Sequence, residues 1–229
     1  MIDLPISLSK ELIQRAKAAS YLREKCKIYL KERDLGFDKF TIVSHDSFTG
    51  FLSEYFMKAF FLEYFKNSGI RVGTWEENFD IREINRILST NSRAKEDEKY
   101  IKDFFYDPYD LQLSKKGKHI NIDIKTALTH LIPTKKWNFL YPVVQAHKKG
   151  KDLMILAYYV VEDIRFPESL KRIMIAGFMD GKEIIKCKKI RKGEKTRYGT
   201  ISQIDNYITQ LKDYNPDLKE IQNYFNKRE

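Results

Sequence analysis

Residues 109–126 read YDLQLSKKGKHINIDIKT, and the expected fold depends on the pattern in this stretch. Residues 111–113 and 119–125 alternate apolar with polar side chains, as half-buried strands do. Residues 114–118, rich in lysine and containing a glycine, separate the two segments and have the composition of a turn. The stretch therefore predicts a β-hairpin.

Helical patterns precede the hairpin. Over residues 9–33, apolar side chains recur three or four positions apart with lysines and glutamates between them, which predicts an amphipathic helix that Gly36 ends. A link over 37–43 leads to a second helix, expected to open at Asp46 or Ser47. This second helix carries so many aromatic residues that it should be largely buried.

The segment between the second helix and the hairpin mixes short elements. Residues 70–72 suggest a short strand, and Asp80 with Glu83 forms a capping box before a helix over 84–88. Residues 89–99 are rich in Ser, Asn, Arg, Lys and Glu, and they are interpreted as a polar connection.

Two apolar segments follow the hairpin. Residues 153–161 and 172–179 are rich in Ile, Met, Tyr and Val, which is typical of interior strands. The expected C-terminal elements are a helix over 201–211 behind a capping box of Thr200 and Gln203, and a helix from Asn215-Pro216 through Phe225. This order of elements predicts a three-layer α/β fold, with a central mixed β-sheet flanked by helices.

The composition indicates a packed globule of one domain. Of the 229 residues, 42% are hydrophobic and 14% aromatic, which excludes the composition of a disordered chain. The formal net charge of +10 would attract a polyanion, and nucleic acid is the expected one. A membrane surface is an alternative, and so is a lysine-rich composition without any binding role.

Several classes of protein lack support in the sequence. Cys26 and Cys187 show no paired spacing, so neither a disulfide framework nor a zinc site is expected. The sequence has no run of about 18 apolar residues and no basic region followed by an apolar leader, so we expect a soluble, cytoplasmic protein without membrane contact. No phosphate-binding Gly-x-x-x-x-Gly-Lys-Ser/Thr loop occurs, so no nucleotide cofactor is expected.

The hairpin also carries a candidate catalytic site. Along a strand, side chains alternate between the two faces, so Asp123 and Lys125 should share the face opposite Ile122 and Ile124. Asp110 begins the preceding strand, and the hairpin should bring it beside Asp123. Two adjacent carboxylates repel unless a cation lies between them, and Mg²⁺ prefers one or two carboxylates with waters and phosphate oxygens.

This arrangement suits the cleavage of phosphodiester bonds. A Mg²⁺ ion held by Asp110 and Asp123 would polarise the scissile phosphate and acidify a bound water, and Lys125 would orient that water or stabilise the developing charge. The alternative is a solvated hairpin in which Asp123 and Lys125 are merely surface neighbours.

At these residues the chain resembles the PD-(D/E)xK nuclease superfamily and, within it, the type II restriction endonucleases. The pattern of that superfamily is matched by Asp110, Asp123 and Lys125, and Thr126 completes an Asp-Ile-Lys-Thr form. The proline that often precedes the first aspartate is replaced by Tyr109, with Pro108 one position earlier. The resemblance implies a restriction-endonuclease-like fold and a Mg²⁺ cofactor.

The resemblance also implies a further acidic residue on an earlier helix, with a glycine four positions before it. Gly50 and Glu54 match this pattern, since residues four apart lie on one helical face and glycine leaves room beside the carboxylate. Glu54 is therefore a candidate catalytic residue and metal ligand, with Glu63 as a substitute. A solvated Glu54 is the alternative.

A looser resemblance to EcoRV-type enzymes extends to about residue 180. The expected single nuclease domain, residues 1–229, consists of an N-terminal helical region over 1–45, a catalytic core over 46–180, and a basic DNA-binding hairpin with C-terminal helices over 181–229. The N-terminal region is also a candidate dimer interface.

The densest basic run lies at residues 186–197 and contains one acid, Glu194. An exposed loop or hairpin of this composition could lie along phosphates, with Arg191, Arg197 and Gln203 able to contact bases. A solvated hairpin is the alternative. The candidate DNA-binding residues are Lys188, Lys189, Arg191, Lys192, Lys195 and Arg197.

Together these features predict a type II restriction endonuclease that cleaves double-stranded DNA with Mg²⁺. A homodimer is expected because a twofold-symmetric protein matches a palindromic site and places one active site on each strand. Two alternatives remain: a structure-specific or repair nuclease resembling a junction resolvase, and a DNA-binding protein without catalysis.

Overall fold

The computed structural model describes residues 1–5, 9–35, 44–147, 150–197 and 199–226. The chain divides into two compact units, one built from residues 1–7 and 115–229 and the other from residues 8–114. We call them the strand-rich unit and the helical unit. The expected link over 37–43 and the stop at Gly36 lie outside the described residues.

The strands are β1 Ile2–Pro5, β2 Arg71–Thr74, β3 Leu111–Lys115, β4 Lys118–Thr129, β5 Asn138–Pro142, β6 Leu153–Val161, β7 Leu170–Asp180, β8 Lys188–Ile190 and β9 Asn206–Gln210. The helices are α1 Lys10–Lys31, α2 Ser44–Tyr64, α3 Ile81–Thr90, α4 Lys95–Phe105, α5 Val143–Ala146, α6 Gly181–Ile184 and α7 Ile221–Asn226. Short 3₁₀ turns connect several of them. The predicted α/β class is confirmed.

A mixed six-stranded sheet has the order β1-β7-β6-β4-β3-β2. In the strand-rich unit, β4 pairs with β6 in parallel, and β6 and β7 are antiparallel. Nearly every residue of β6 is buried, as expected for an interior strand that is covered on both faces. The parallel register places Asp123 opposite Met154.

The predicted hairpin is confirmed in its elements and its turn. Both β3 and β4 are longer than the sequence pattern indicated. Lys116 and Gly117 form the two-residue turn with φ values of 49° and 77°, and such turns match the twist of antiparallel strands. Ile120 and Ile122 of β4 are fully buried, so their positions hold the register of the strand.

A second sheet of three strands has the order β5-β9-β8, and it corrects one prediction. The expected helix over 201–211 is wrong, because residues 206–210 form β9 between β5 and β8. Tyr207 and Thr209, two positions apart, are buried on the same face of this strand. These residues favour a pleated strand, and pairing on both edges outweighs the local capping signal.

The helical unit contains the antiparallel pair β2 and β3 beside four helices. Ser9 caps α1, accepting a bond of 3.1 Å from the Leu12 amide, so the first predicted helix is confirmed. Helix α2 begins at Ser44, earlier than expected. Its buried apolar side chains are those of Phe48, Phe51, Leu52, Tyr55, Met57 and Phe61.

Helix α4 was missed, because residues 95–99 are charged and were interpreted as part of a connection. Ile101, Phe104 and Phe105 bury the apolar face of α4 in a core shared with α1 and α3. Asp80 caps α3 by accepting from the Arg82 amide at 2.8 Å, whereas Glu83 binds Arg86 at 2.6 Å instead of closing the capping box.

No helix in the described part of the chain is long and apolar enough to cross a membrane.

The C-terminal part forms a short helix later than predicted, since α7 begins at Ile221 after a 3₁₀ turn at Leu218–Glu220. Before that turn, the Asn215 amide donates to the Phe178 carbonyl at 2.8 Å, and the Phe178 amide donates back at 2.9 Å. This bridge holds the C-terminal segment on β7.

Gly177 makes the close approach at this bridge possible. Its φ is +134°, and a Cβ at this position would lie 2.2 Å from the carbonyl oxygen of Asn215. We predict that Gly177→Ala lowers the free energy of unfolding by about 3 kcal/mol, since backbone strain and overpacking each cost about 1–3 kcal/mol. Urea denaturation measures the change.

The matched control is Gly193→Ala in the same unit. Gly193 also has a positive φ, +86°, but a Cβ there meets no atom within 4 Å. The control should therefore lose only about 1–2 kcal/mol, the cost of the left-handed conformation. Equal losses in the two variants would show that the contact with Asn215 does not matter.

Candidate active site

Asp123 and Lys125 lie on one face of β4, as the alternation of the strand predicted. Lys125 Nζ is 3.0 Å from Asp123 Oδ1 and 2.9 Å from Oδ2. Asp123 is only 1% exposed, so the alternative of a solvated surface pair is wrong for this carboxylate. A buried carboxylate needs a compensating charge or hydrogen bonds, and here it has both.

Two further groups hold Asp123. The hydroxyl of Tyr141 donates to Oδ2 at 2.7 Å, and Lys151 Nζ donates to Oδ1. Burial alone would raise the pKa of Asp123, but the ammonium groups of Lys125 and Lys151 outweigh that cost and lower the pKa to about 2. Asp123 is therefore a carboxylate at neutral pH.

The parallel pairing of β4 with β6 explains why Lys151 reaches Asp123. The register places Ile122 opposite Leu153, and Lys151 precedes that residue by two positions. The segment that leads into β6 is held by the side chain of Asp152, which accepts a hydrogen bond of 2.7 Å from the Asn121 amide. The strand pairing thereby places Lys151, which is distant in sequence, next to Asp123 on β4.

In the helical unit, Glu54 lies on α2 and is 7% exposed, so the alternative of a solvated Glu54 is wrong. Burial and the carboxylates of Asp110, Glu76 and Asp107 hold the pKa of Glu54 well above its ordinary value. We call Glu54, Glu76, Asp107 and Asp110 the acidic cluster. The sequence-predicted residues Glu54 and Asp110 are thus brought into electrostatic contact.

Arg23 of α1 provides positive charge to this cluster. Its guanidinium bonds Asp107 at 3.1 Å and the Phe105 carbonyl at 2.9 Å. Tyr55 donates a hydrogen bond of 2.6 Å to Glu76, which lowers the pKa of Glu76, but burial is the larger effect and the net shift is upward. The cluster therefore holds more carboxylates than Arg23 alone can neutralise.

Two details of the expected helix pattern are not confirmed. A Cβ at Gly50 meets no atom within 4 Å, so no contact requires a glycine there. Glu63, the expected substitute for Glu54, is exposed and lies 3.6 Å from Lys66 in an ion pair. Of the two glutamates of α2, Glu54 is the one with the burial and charge environment of a functional group.

A divalent cation fits the chemistry of these donors. Among the residues that the structure describes, no three His, Cys, Asp or Glu side chains are arranged around one cation position. Magnesium, however, takes one or two carboxylates and completes its shell with water. Glu54 and Asp110 in one unit, and Asp123 in the other, are carboxylates of this kind, and the excess charge of the acidic cluster favours a cation.

The basic run lies in the strand-rich unit, where all its named lysines and arginines are exposed. Lys189 binds Asp205 at 2.9 Å, and Lys186 binds Glu183 at 2.6 Å. In the described residues, no ion pair engages Lys188, Lys192 or Lys195. The part played by these side chains in DNA binding stays a prediction.

The sequence analysis missed the partners of both carboxylate groups. Tyr141 and Lys151 lie outside the hairpin, and no motif or spacing in the sequence marked either of them as a partner of Asp123. Arg23 was read only as part of a helix pattern. The one available signal was the parallel pairing expected between buried apolar strands, which would have placed the residue before β6 near β4.

The raised pKa of Glu54 predicts a pH dependence of stability. Because its folded pKa exceeds the ordinary value of 4.5, this group stabilises the fold below pH 4.5, and the contribution is lost as the pH rises through the folded pKa. In EDTA, the free energy of unfolding should therefore fall as the pH rises above 4.5, by at most about 1.4 kcal/mol per pH unit. Glu54→Gln should flatten this slope.

The matched control is Glu63→Gln, an exposed position on the same helix. It should keep the wild-type slope, measured by urea denaturation at several pH values. If Glu54→Gln and wild type show the same slope, the electrostatic description of the acidic cluster is wrong.

Comparisons with known proteins supply no relative for this chain. No protein-family model matches it, no curated protein matches it, and no solved structure matches it. The assignment of function therefore depends on the motif in the sequence and on the geometry within each unit.

Proposed function

We propose that this chain is a Mg²⁺-dependent endonuclease that cleaves double-stranded DNA, and more specifically a type II restriction endonuclease acting in the cytoplasm as a homodimer. The observation that carries the proposal is the buried, ionised Asp123 with Lys125 on the same face of β4. This pair lies in the Asp-x-Lys sequence of the PD-(D/E)xK pattern.

The first support is the state of the carboxylate. A metal ligand must be deprotonated, and Asp123 meets this requirement far below neutral pH. The Tyr141 hydroxyl, at 2.7 Å, fixes the orientation of the carboxylate on the strand. A rigid first ligand on a strand places a cation more accurately than a ligand on a loop.

The second support is Lys125. Its ammonium is part-buried beside Asp123, where a positive charge acts more strongly than in water. We assign it to orient the attacking water or to stabilise the negative charge that develops on the phosphate. A bound Mg²⁺ would supply Lewis-acid polarisation of that phosphate. Asp110 and Glu54 are the proposed further ligands, on the basis of the motif and of their shared environment.

The third support comes from the exposed surface. The basic run exposes Lys188, Lys192 and Lys195, which can bind a polyanion.

For the homodimer, Tyr21 and Ile28 of α1 are exposed by 65% and 50%, so this helix presents large apolar side chains at the proposed interface. Sedimentation of the purified protein tests the dimer separately from catalysis.

The decisive experiment uses unmethylated plasmid DNA, Mg²⁺ and the purified chain. We predict cleavage at fixed sites, identified by sequencing the ends, and a loss of about 10³-fold or more for Asp123→Asn and for Lys125→Met. A structure-specific nuclease would instead cut branched DNA and spare the plasmid. A DNA-binding protein without catalysis would bind without nicking.

Matched controls exist elsewhere in the same unit. Asp163→Asn removes a carboxylate whose pKa is also lowered to about 2, there by Arg165. Lys171→Met removes a lysine that lies 2.7 Å from Glu162. Both controls should cleave at the wild-type rate. Full cleavage by Asp123→Asn or Lys125→Met would refute the assignment.

The basic run gives a further prediction. Replacing Lys188, Arg191 and Lys192 together by Ala should lower the slope of log affinity against log salt by about 0.9 for each phosphate contact that is lost. Fluorescence anisotropy with duplex DNA, in Ca²⁺ to prevent cleavage, measures this slope. The control replaces Lys95, Lys99 and Lys102 of α4 by Ala, which removes the same charge. An equal change of the slope in this control would show that only total charge matters, and it would exclude the basic run as the specific interface.

A further inference from the structure

The carboxylate of Asp123 has no vacant acceptor position for a cation. Oδ1 accepts from Lys125 and Lys151, and Oδ2 accepts from Tyr141 and lies 2.9 Å from Lys125. An ionised carboxylate has about four lone-pair sites, and these contacts occupy them. A divalent ion that binds Asp123 must therefore displace one of these donors.

The fold identifies Lys151 as the donor that can leave. Tyr141 is 1% exposed and belongs to β5, and Lys125 belongs to the same strand as Asp123. Lys151 precedes β6 outside any strand or helix. Its side chain lines a cavity of about 230 Å³ beside Asp123, so there is space for it to move.

The same cavity contains an acceptor for the displaced ammonium. Gln145 lines it, and its Oε1 is buried without a hydrogen-bond partner among the described residues. A buried acceptor without a donor is costly, and an ammonium group is a donor with no acceptor capacity. Movement of Lys151 from Asp123 to Gln145 would satisfy both groups.

We propose that Lys151 is a positioning residue that neutralises Asp123 until a divalent cation takes its place on Oδ1, when Lys151 moves to Gln145. This inference rests on the proposed nuclease function, since it concerns the cation of that same site. Lys151 competes with the cation, so it keeps the buried carboxylate charged and correctly placed in the metal-free protein.

The test measures Mn²⁺ binding to the full chain by isothermal titration calorimetry, without DNA. Lys151→Met removes the competing ammonium and should tighten Mn²⁺ binding by about tenfold or more, the effect of one adjacent charge. Lys151→Arg keeps the charge and should stay near the wild-type affinity. The control Lys182→Met removes an exposed lysine of the same cavity that makes no ion pair with Asp123 in the described part of the chain.

Gln145→Leu provides a second measurement. It should weaken Mn²⁺ binding when Lys151 is present, because the displaced ammonium loses its acceptor, and it should have no effect in the Lys151→Met background. A merely structural role of Gln145 would give the same change in both backgrounds. If Lys151→Met is too unstable to be titrated, Lys151→Ala, which also removes the ammonium, serves as the second background.

The outcomes separate this inference from the function on which it rests. If wild type binds Mn²⁺ in an Asp123-dependent manner and cleaves DNA, but Lys151→Met binds no tighter than Lys182→Met, the role of Lys151 is refuted and the nuclease stands. If wild type neither binds Mn²⁺ through Asp123 nor cleaves DNA, both proposals fail together.

Discussion

The burial of one carboxylate, Asp123, governs the arrangement of the strand-rich unit. A charge that is 1% exposed is tolerated only with close compensation, and three elements provide it. Lys125 comes from the same strand, Tyr141 from β5 in the second sheet, and Lys151 from the segment that leads into β6. The parallel pairing of β4 and β6 is thus tied to the ionic contacts of the site, and the two support each other.

In the helical unit, the buried carboxylates lack such complete compensation. Its acidic cluster is only partly neutralised by Arg23, so burial and repulsion hold Glu54 toward its protonated form. Such an arrangement costs stability in the isolated fold, and functional sites commonly carry this kind of cost. The negative charge of Asp123 is compensated by neighbouring ammonium groups, whereas the positive charge near Glu54 is too small to compensate its ionised form.

Local patterns in the sequence predicted much of the fold. They also predicted part of each charged group, namely Asp123 with Lys125 in one and Glu54 with Asp110 in the other. The bounds of β6 and the position of the hairpin followed from runs of apolar residues and from a lysine-glycine turn. Helix α4 was missed because its first turn is charged all round, and β9 was mistaken for a helix because Thr200 and Gln203 imitate a cap. Local patterns did not identify Lys151 and Arg23, since the strand register and the helix packing that bring them to Asp123 and Asp107 are set by contacts between distant segments.

The bridge between Phe178 and Asn215 has a consequence for the order in which the molecule can be completed. One edge of β7 pairs with β1 through Ile175, and beyond that pairing the edge is closed at Phe178 by Asn215. Asn215 is translated after every strand of both sheets. During synthesis on the ribosome, this part of the edge of β7 therefore stays open to pairing with other chains until the C-terminal segment emerges.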